Sequence, residues 1–433
     1  MRLNWFSPLP PAKTEIAHYT KRLLPYLRQK AEITLWTDQS EWDPELEDYS
    51  TVRQYRAEQP NRAEFNLADA NIYHLGNNTP FHSMIWQTSR RHPGIVVLHD
   101  VRLHHLFAGA YQKLQDREGY LAAMVRHYGE HGQSDAKAFW EGRLSIDYMS
   151  EHYPLTCLAL ENALGAIVHT PQAFEQLKEQ NQWSLGYAPL SYPASPRRKS
   201  NNDPVGTSSV GSPPYRLIVF GFLGPNRQLN VLLESLADFP QRAGFRLDIY
   251  GEITNQDRIR TKIRSLGLGG LATVHGFVPE EELNAALASA HMAINLRYPS
   301  MGEASMSQLR IWDNALPSLV TQTGWYASLS SEAVAFVRPG FEKEDIQAQL
   351  RAFLADPEQF ALMGERGRAI LERHHSSEAY VQVLTDLISA TQLASWRALA
   401  LSLADRAGSE MSAWIDGSEL DDCYRRVAEG IHL

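Results

Sequence analysis

The sequence predicts an α/β protein built from two parallel-sheet domains that face each other across a cleft. Three observations lead there. Short β-branched or apolar runs alternate with longer segments of helical period, the pattern of parallel sheets covered by helices. That alternation stops at a stretch rich in proline, glycine and serine and then restarts. A chain of 433 residues, at roughly 150 per domain, has room for two or three domains.

In the first half the strand candidates are Arg2–Phe6, Glu32–Trp36, Ala70–His74, Gly94–Leu98, Ala166–Val168 and Leu185–Ala188. Residues 103–158 interrupt the order. They contain no convincing strand and read as two or three helices inserted directly after the strand end Val96-Val97-Leu98-His99-Asp100. Ligands of open α/β sheets bind beyond the carboxyl ends of strands, where functional loops gather. From 191 to 214 the composition offers too little apolar surface to offset ordering entropy, which predicts a flexible linker. The second half gives strands at Arg216–Gly221, Arg246–Tyr250, Ala272–His275, Met292–Leu296 and Ser318–Thr321. Helices alternate with them at Gln228–Leu236, Asp257–Leu266, Glu280–Ala288 and Gln308–Asn314. The resulting plan is a Rossmann-like domain over 1–190, the linker, a second Rossmann-like domain over 215–375, and a helical extension over 376–433. From 345 onward the helices are expected to pack back across both domains.

Composition narrows the function. Lys plus Arg number 41 against 50 Asp plus Glu, a net charge of −9, which argues against nucleic acid as the main partner. Two cysteines, Cys157 and Cys423, cannot form a disulfide framework and point to a reducing compartment. The chain enters a strand-like run at once, without the zones of a signal peptide, and no apolar stretch is long enough to span a membrane. The expectation is a cytoplasmic protein. Lys13, Lys21, Arg22, Arg28 and Lys30 near the first helix are candidates for peripheral contact with anionic lipid at the inner membrane face, against a merely solvated surface.

Two segments of the second half could carry chemistry. After the strand ending near Tyr298, small residues from Ser300 to Ser307 lead into a helix. Small residues let the backbone approach a ligand, and the unpaired N–H groups of a helix start attract phosphate. Arg297 could add a bidentate, charge-assisted contact. The plainer reading is an ordinary helix capped by Ser305 or Ser307. Upstream, a strand ends in Gly221, a turn carries Gly224-Pro225-Asn226, and Arg227 stands at a helix start. This is neither G-x-G-x-x-G nor a Walker loop. Arg there opposes the helix dipole, a mismatch that makes sense if the side chain faces an anion; a solvated loop Arg is the alternative.

Together these residues resemble the donor domain of GT-B glycosyltransferases of the family 4 (group 1) type. The strand–Gly turn–basic element corresponds to Gly221 through Arg227. A Gly-Phe-Val segment, Gly276-Phe277-Val278, precedes an acidic helix start. A Glu-containing loop at Gly302-Glu303 leads to a helix and to the strand Pro317-Ser318-Leu319-Val320. In the first half, Phe6 through Leu27 is similar to the family's opening strand and loop. The run ending in His99 is similar to its strand with a cleft-facing His, and Gly186-Tyr187-Ala188 to the turn before the linker.

The resemblance implies retaining transfer of a sugar from a UDP- or GDP-type donor to an unknown sugar or lipid-linked acceptor, with no cofactor and no metal. It assigns the diphosphate to Arg227, to the amides of Ala304, Ser305 and Met306, and to Arg297. Such groups stabilise the leaving group electrostatically. Glu303 would accept hydrogen bonds from donor hydroxyls. Gly276 and Phe277 would flank the base, Gly221 and Gly224 would shape the turn, and His99 would reach the sugar from the facing domain. Three positions depart from the family pattern. Thr14-Glu15-Ile16 replaces a glycine-containing first loop, so Glu15 either sits back or contacts the acceptor. Arg310, eight residues after Gly302, stands where a second carboxylate is common and is grouped with the donor-binding residues. Phe222 stands where an Arg often helps clamp the diphosphate. An epimerase or phosphorylase on the same architecture, or a non-catalytic binding protein, are the alternatives.

Several of the 16 histidines crowd the region before and within the insertion. The string His127-Tyr128-Gly129-Glu130-His131 matches H-x-x-E-H, in which two His on one helix face would hold zinc. Gly129 weakens that helix by roughly 1 kcal/mol relative to Ala. Histidines and tyrosines such as His104, His105 and Tyr153 better suit acceptor hydroxyls, which places Thr14, Glu15, His104 and His105 on the acceptor side.

Overall fold

The computed structural model describes residues 1–56, 62–196 and 212–412. Strands β1 (Arg2–Phe6), β2 (Glu32–Thr37), β3 (Thr51–Gln54), β4 (Ala70–Leu75), β5 (Ile95–Leu98), β6 (Gly165–Val168) and β7 (Ser184–Tyr187) form one parallel sheet in the order 3-2-1-4-5-6-7. A second sheet holds β8 (Tyr215–Phe220), β9 (Phe245–Tyr250), β10 (Ala272–Gly276), β11 (Met292–Asn295), β12 (Ser318–Thr321) and β13 (Ala335–Val337). Its order is β10-β9-β8-β11-β12-β13. Counted within its own lobe, the second sheet runs 3-2-1-4-5-6, the doubly wound Rossmann order. The architecture is α/β with two Rossmann-like lobes.

Both sheets are covered on both faces, which is why β5 (Ile-Val-Val-Leu) and β11 (Met-Ala-Ile-Asn) are buried at every position. The strand order reverses between β1 and β4 in the first lobe and between β8 and β11 in the second. Each reversal opens a crevice at the carboxyl ends of the strands, and the loops there face the other lobe.

Residues 103–158 form helices at His104–Lys113, Arg117–Trp140, Ile146–His152 and Thr156–Ala159. They close one face of the first sheet through a core containing Phe107, Tyr120, Met124 and Met149. The helix Ser377–Ser412 crosses to the first lobe. Tyr380, Leu384 and Ile388 share a core with Leu9, Leu24 and Ile33 of the first lobe and with Trp312 of the second.

One expectation needs correction. The start of the expected linker is anchored rather than loose. Ser191 is buried and bonds the Ser377 hydroxyl at 2.7 Å, while Ser195 donates from its amide (2.7 Å) and hydroxyl (2.8 Å) to Asp313. Asp313 is held in turn by Arg368. The remainder of that segment, 197–211, and the end of the extension, 413–433, lie outside the described residues.

Candidate active site

The second lobe contributes three elements at its switch point. β8 ends at Phe220, and Gly221 (φ 108°) turns the chain away. A Cβ on Gly221 would meet nothing nearer than the Ser307 hydroxyl at 3.8 Å, so the turn borders open space beside the helix start. Pro225–Arg227 then makes a single 3-10 turn, capped by Gly224, and the helix proper begins at Leu229. Arg227 is therefore not in a first helical turn, as the sequence suggested, nor is it solvated. It is 5 % exposed and folds back so that Nη2 donates to the Phe220 carbonyl at 3.1 Å. Its Nη1 is buried without a partner. Burial, then the neighbouring Arg297, bring its pKa from 12.5 to about 10, with Tyr326 and Glu303 offsetting part.

β11 leads to Arg297, whose amide is fixed by the Thr321 hydroxyl at 2.9 Å. Its guanidinium pairs closely with Glu303 through Nη1, leaving Nε buried and unpartnered. Burial alone would lower this pKa, but Tyr326 and Glu303 outweigh it and carry it above the ordinary value. Glu303 is 5 % exposed, its other oxygen accepting from the Ser300 hydroxyl (3.1 Å) and the Met301 amide (2.7 Å). Ser305 caps the helix Met306–Asp313 by accepting from the Gln308 amide at 3.1 Å. The cap satisfies one of the orphan donors of a helix start and leaves the first amides free for an anion.

The first lobe answers with Glu15, Tyr19, His99 and Asp100. Together with Arg297, Glu303 and Ala304 to Ser307 they line a cavity of about 150 Å³ between the lobes. His99 bonds His74 at 2.8 Å between His99 Nε2 and His74 Nδ1. Burial, then His169 and His74, hold its pKa well below the ordinary value. Asp100 accepts from the Asn77 amide at 2.7 Å. Burial, then the facing Glu303, raise its carboxyl to about 7, against the pull of Asn77 and Arg297. Sequence reasoning passed over Asp100, although it follows His99 at a strand end.

The two lobes grip one another around Glu303. The amides of Val101 and Arg102 both donate to the Met301 carbonyl (3.0 and 2.9 Å), and Arg102 Nη1 donates to the Ser300 carbonyl at 3.1 Å. Gly302 (φ 79°) is obligatory, since a Cβ there would stand 2.5 Å from the Val101 side chain. Phe277 is 69 % exposed, and Lys13 of the first lobe lies over its ring at 5.0 Å. Gly276 (φ 79°) makes the turn that presents that ring.

Other expected site residues are placed elsewhere. His104 is fully buried, Nδ1 against the Tyr153 carbonyl (2.5 Å) and Nε2 against the Tyr120 hydroxyl (2.8 Å), so it holds the insertion together and meets no acceptor. His105 is spent on Asn77 (3.2 Å) and Asp147 (3.7 Å). Thr14 caps the first helix. Arg310 is held by Glu280 (2.7 Å) and Asn284 (2.8 Å), away from the cavity. The zinc reading loses its geometry: Gly129, at φ 67° and ψ −160°, breaks the helix between His127 and His131, so they share no continuous face. Among the described residues no group of three or more His, Cys, Asp or Glu is placed to hold a metal.

Of the basic candidates for lipid contact, Lys21 and Arg28 are engaged within the first lobe. Lys21 pairs with Asp43 and Glu45, both at 2.6 Å, and Arg28 donates to the Asp48 carbonyl at 3.0 Å. Among the described residues no helix is long and apolar enough to cross a membrane. A larger cavity of about 410 Å³ opens at the amino-terminal end of the first sheet, the end opposite to where such sheets bind ligands. Of its polar residues, Asp69 accepts from the Arg2 amide and Asn71 from the Asn4 side chain.

Residues 208–370 match the family model described as glycosyl transferases group 1. The second lobe is thus similar to group 1 glycosyltransferase domains. The chain as a whole is similar in fold to several solved structures. The Anabaena HepE protein, in complex with UDP and glucose, has a TM-score of 0.54 at 15% identity, covering 90% of this chain and 100% of that one. Sucrose-phosphate synthase from Thermosynechococcus elongatus gives 0.55 at 16% identity, covering 91% and 100%. WaaG, a glycosyltransferase involved in lipopolysaccharide biosynthesis, gives 0.56 at 13% identity, covering 89% and 100%. These likenesses extend the GT-B fold over both lobes. A search of curated protein sequences finds no match. Within the second lobe, Gly221, Arg227, Arg297 and the 300–307 loop lie together at the switch point.

Proposed function

We propose that the protein is a retaining glycosyltransferase that moves a hexosyl unit from a nucleoside diphosphate sugar, UDP- or GDP-linked, to an acceptor hydroxyl without a metal ion. One observation carries this reading. Arg227 and Arg297 bring two guanidiniums to one buried corner, the Glu303 carboxylate pairs with Arg297 and not with Arg227, and Arg227 Nη1 and Arg297 Nε are buried without a hydrogen-bond acceptor. Unsatisfied buried donors are rare in folded proteins, and an anion at this corner satisfies them at once. The amides opening the helix at Met306 complete the cradle. The same groups stabilise the charge that develops on a departing nucleoside diphosphate.

The sugar then lies toward His99 and Asp100, with Glu303 at its hydroxyls. The base reaches the mouth, where the exposed Phe277 ring offers a stacking surface. In this reading residues 1–190 supply the acceptor side, and Glu15 faces the acceptor rather than the phosphates, because its charge would repel them. The HepE structures containing UDP, and UDP with glucose, support a donor of this class by analogy of fold.

The test is a thermal-shift screen of nucleoside diphosphates and their sugars, followed by donor hydrolysis and product anomer analysis by NMR. Binding to the native state raises the unfolding midpoint. Glu303→Ala and His99→Ala should keep the fold and lose sugar release from the donor. A protein that responds to no nucleoside diphosphate sugar refutes the proposal, and an inverted product anomer refutes the retaining mechanism.

A further inference from the structure

Behind the cavity lies a group of buried imidazoles whose proton positions the structure constrains. His74, on β4, is fully buried, and its Nδ1 stands 2.8 Å from His99 Nε2. Trp5 lies against the His74 ring at 4.3 Å, and His74 Nε2 is buried with no partner. His82, from the helix Thr79–Arg91, meets the His74 carbonyl through Nδ1 at 3.0 Å. His169, just after β6, meets the Ala188 carbonyl through Nδ1 at 2.9 Å, and its ring lies 5.0 Å from that of His99. Tyr19 packs edge-on to His99 at 5.1 Å. Burial holds the pKa of His74, His82, His99 and His169 below the ordinary value. Each ring is thus neutral at neutral pH and carries one proton.

A carbonyl can only accept, so His82 and His169 carry their protons on Nδ1. His169 Nε2 is then a bare nitrogen, buried and unpartnered, and this pocket accommodates it. His74 has the same choice. With its proton on Nδ1, it donates to His99 Nε2 and leaves a bare Nε2, as in His169. With its proton on Nε2, it would bury an N–H without an acceptor, the rarer and costlier defect. We infer that His74 is a positioning residue: it donates to His99 Nε2, fixes His99 as the Nδ1-protonated tautomer, and makes His99 a hydrogen-bond donor to an oxygen of the ligand in the cleft. His99 therefore does not serve as the base. Its partner is an atom with a free lone pair, a sugar hydroxyl or ring oxygen, which deepens the proposed function and rests on that reading for the ligand's identity.

The tautomer is read without any substrate. Long-range proton–nitrogen NMR of the full chain labelled with ¹⁵N-histidine, assigned with His99→Gln, should show His99 protonated at Nδ1 and bare at Nε2. His74→Phe keeps the ring and removes the donor, and His99 should then shift toward the Nε2-protonated form. His74→Asn, whose amide restores an N–H near the same place, should return it. Hydrolysis of the nucleoside diphosphate sugar should follow with about a tenfold loss in kcat for His74→Phe, substantial recovery in His74→Asn, and little change in KM. Wild-type His99 protonated at Nε2 overturns the assignment, whether or not His74→Phe folds; so does an unchanged His99 spectrum in a folded His74→Phe. If the spectra are as expected but no such sugar is bound, the tautomer assignment stands and the proposed function fails.

Discussion

Replacing Arg227 by methionine should stabilise the free protein and weaken its hold on a nucleoside diphosphate. The guanidinium is almost fully buried, and burial with the adjacent Arg297 brings its pKa from 12.5 to about 10. At about 1.4 kcal/mol per factor of ten, the charged form is disfavoured in the folded state by about 3 kcal/mol. Against that stands the 3.1 Å bond to the Phe220 carbonyl. Losing it leaves a buried acceptor unpaired, at about 1–2 kcal/mol. Methionine fills most of the volume, so the balance is a gain of about 1–2 kcal/mol and a midpoint higher by about 1–4 °C. With UDP or GDP the order reverses. A charge-assisted contact is worth about 1.5–3 kcal/mol, so the dissociation constant should rise by about 10- to 100-fold and the nucleotide-induced midpoint shift should shrink. Differential scanning fluorimetry of both proteins, with and without nucleotide, reads all four values. A variant that melts lower than wild type without nucleotide, or that keeps the full nucleotide-induced rise, refutes the argument that Arg227 is held in strain for an anion.

Asp100 should make stability pH-dependent. Its folded pKa, about 7, lies above the 3.8 of an unperturbed carboxyl, so the folded state binds this proton more tightly. That contribution is fully present below about pH 4 and is lost as the pH rises through 7. Asp100→Asn should flatten the decline and raise the unfolding free energy at pH 8 by about 1–3 kcal/mol, as measured by urea titration. Gly302→Ala should lose about 1–3 kcal/mol and much of the donor turnover, because its φ of 79° is strained for alanine and its Cβ meets Val101 at 2.5 Å. Phe277→Ala should leave stability unchanged and weaken nucleoside diphosphate binding by about 5- to 100-fold, the range of one base–aromatic stack, measured by calorimetry.

The alternation of short apolar runs with helical periods located most of the strands, because buried parallel strands are written as unbroken hydrophobic stretches. Two escaped. β3 is an edge strand whose four residues, Thr-Val-Arg-Gln, are largely exposed, so nothing in its pattern distinguishes it from a loop. β13 is three residues long. The elements that meet at the second lobe's switch point were legible because a strand end, a glycine turn and a helix start are local features. Asp100 was not, since its raised pKa depends on Glu303, some two hundred positions away, and on burial between lobes. His104 misled for the converse reason. A histidine next to a cleft-facing loop reads as functional until the partners that consume both its nitrogens, Tyr120 and Tyr153, are seen in space.

The departures from the family pattern gain a common physical sense from the charges of the cleft. Phe222 is 68 % exposed and offers no charge where an arginine is usual. Arg310 is committed to Glu280 and Asn284. Glu15, on the cavity wall, faces Arg22 at 3.7 Å. In the proposed reading, the side-chain charges left to neutralise a diphosphate are therefore those of Arg227 and Arg297, beside the amides opening the helix at Met306. Both arginines are buried, where a charge acts through a low effective dielectric and is worth more than at a surface. Fewer charges in a drier place can do the work of a larger exposed cluster, but only if the lobes close over them. The bonds from Val101 and Arg102 to Met301 and Ser300 provide that closure at the loop carrying Glu303. Charge economy on the donor side and the grip of the first lobe on the 300–303 loop are thus two parts of one arrangement, and loosening the grip should depress donor turnover even though no charged group of the cleft has been removed.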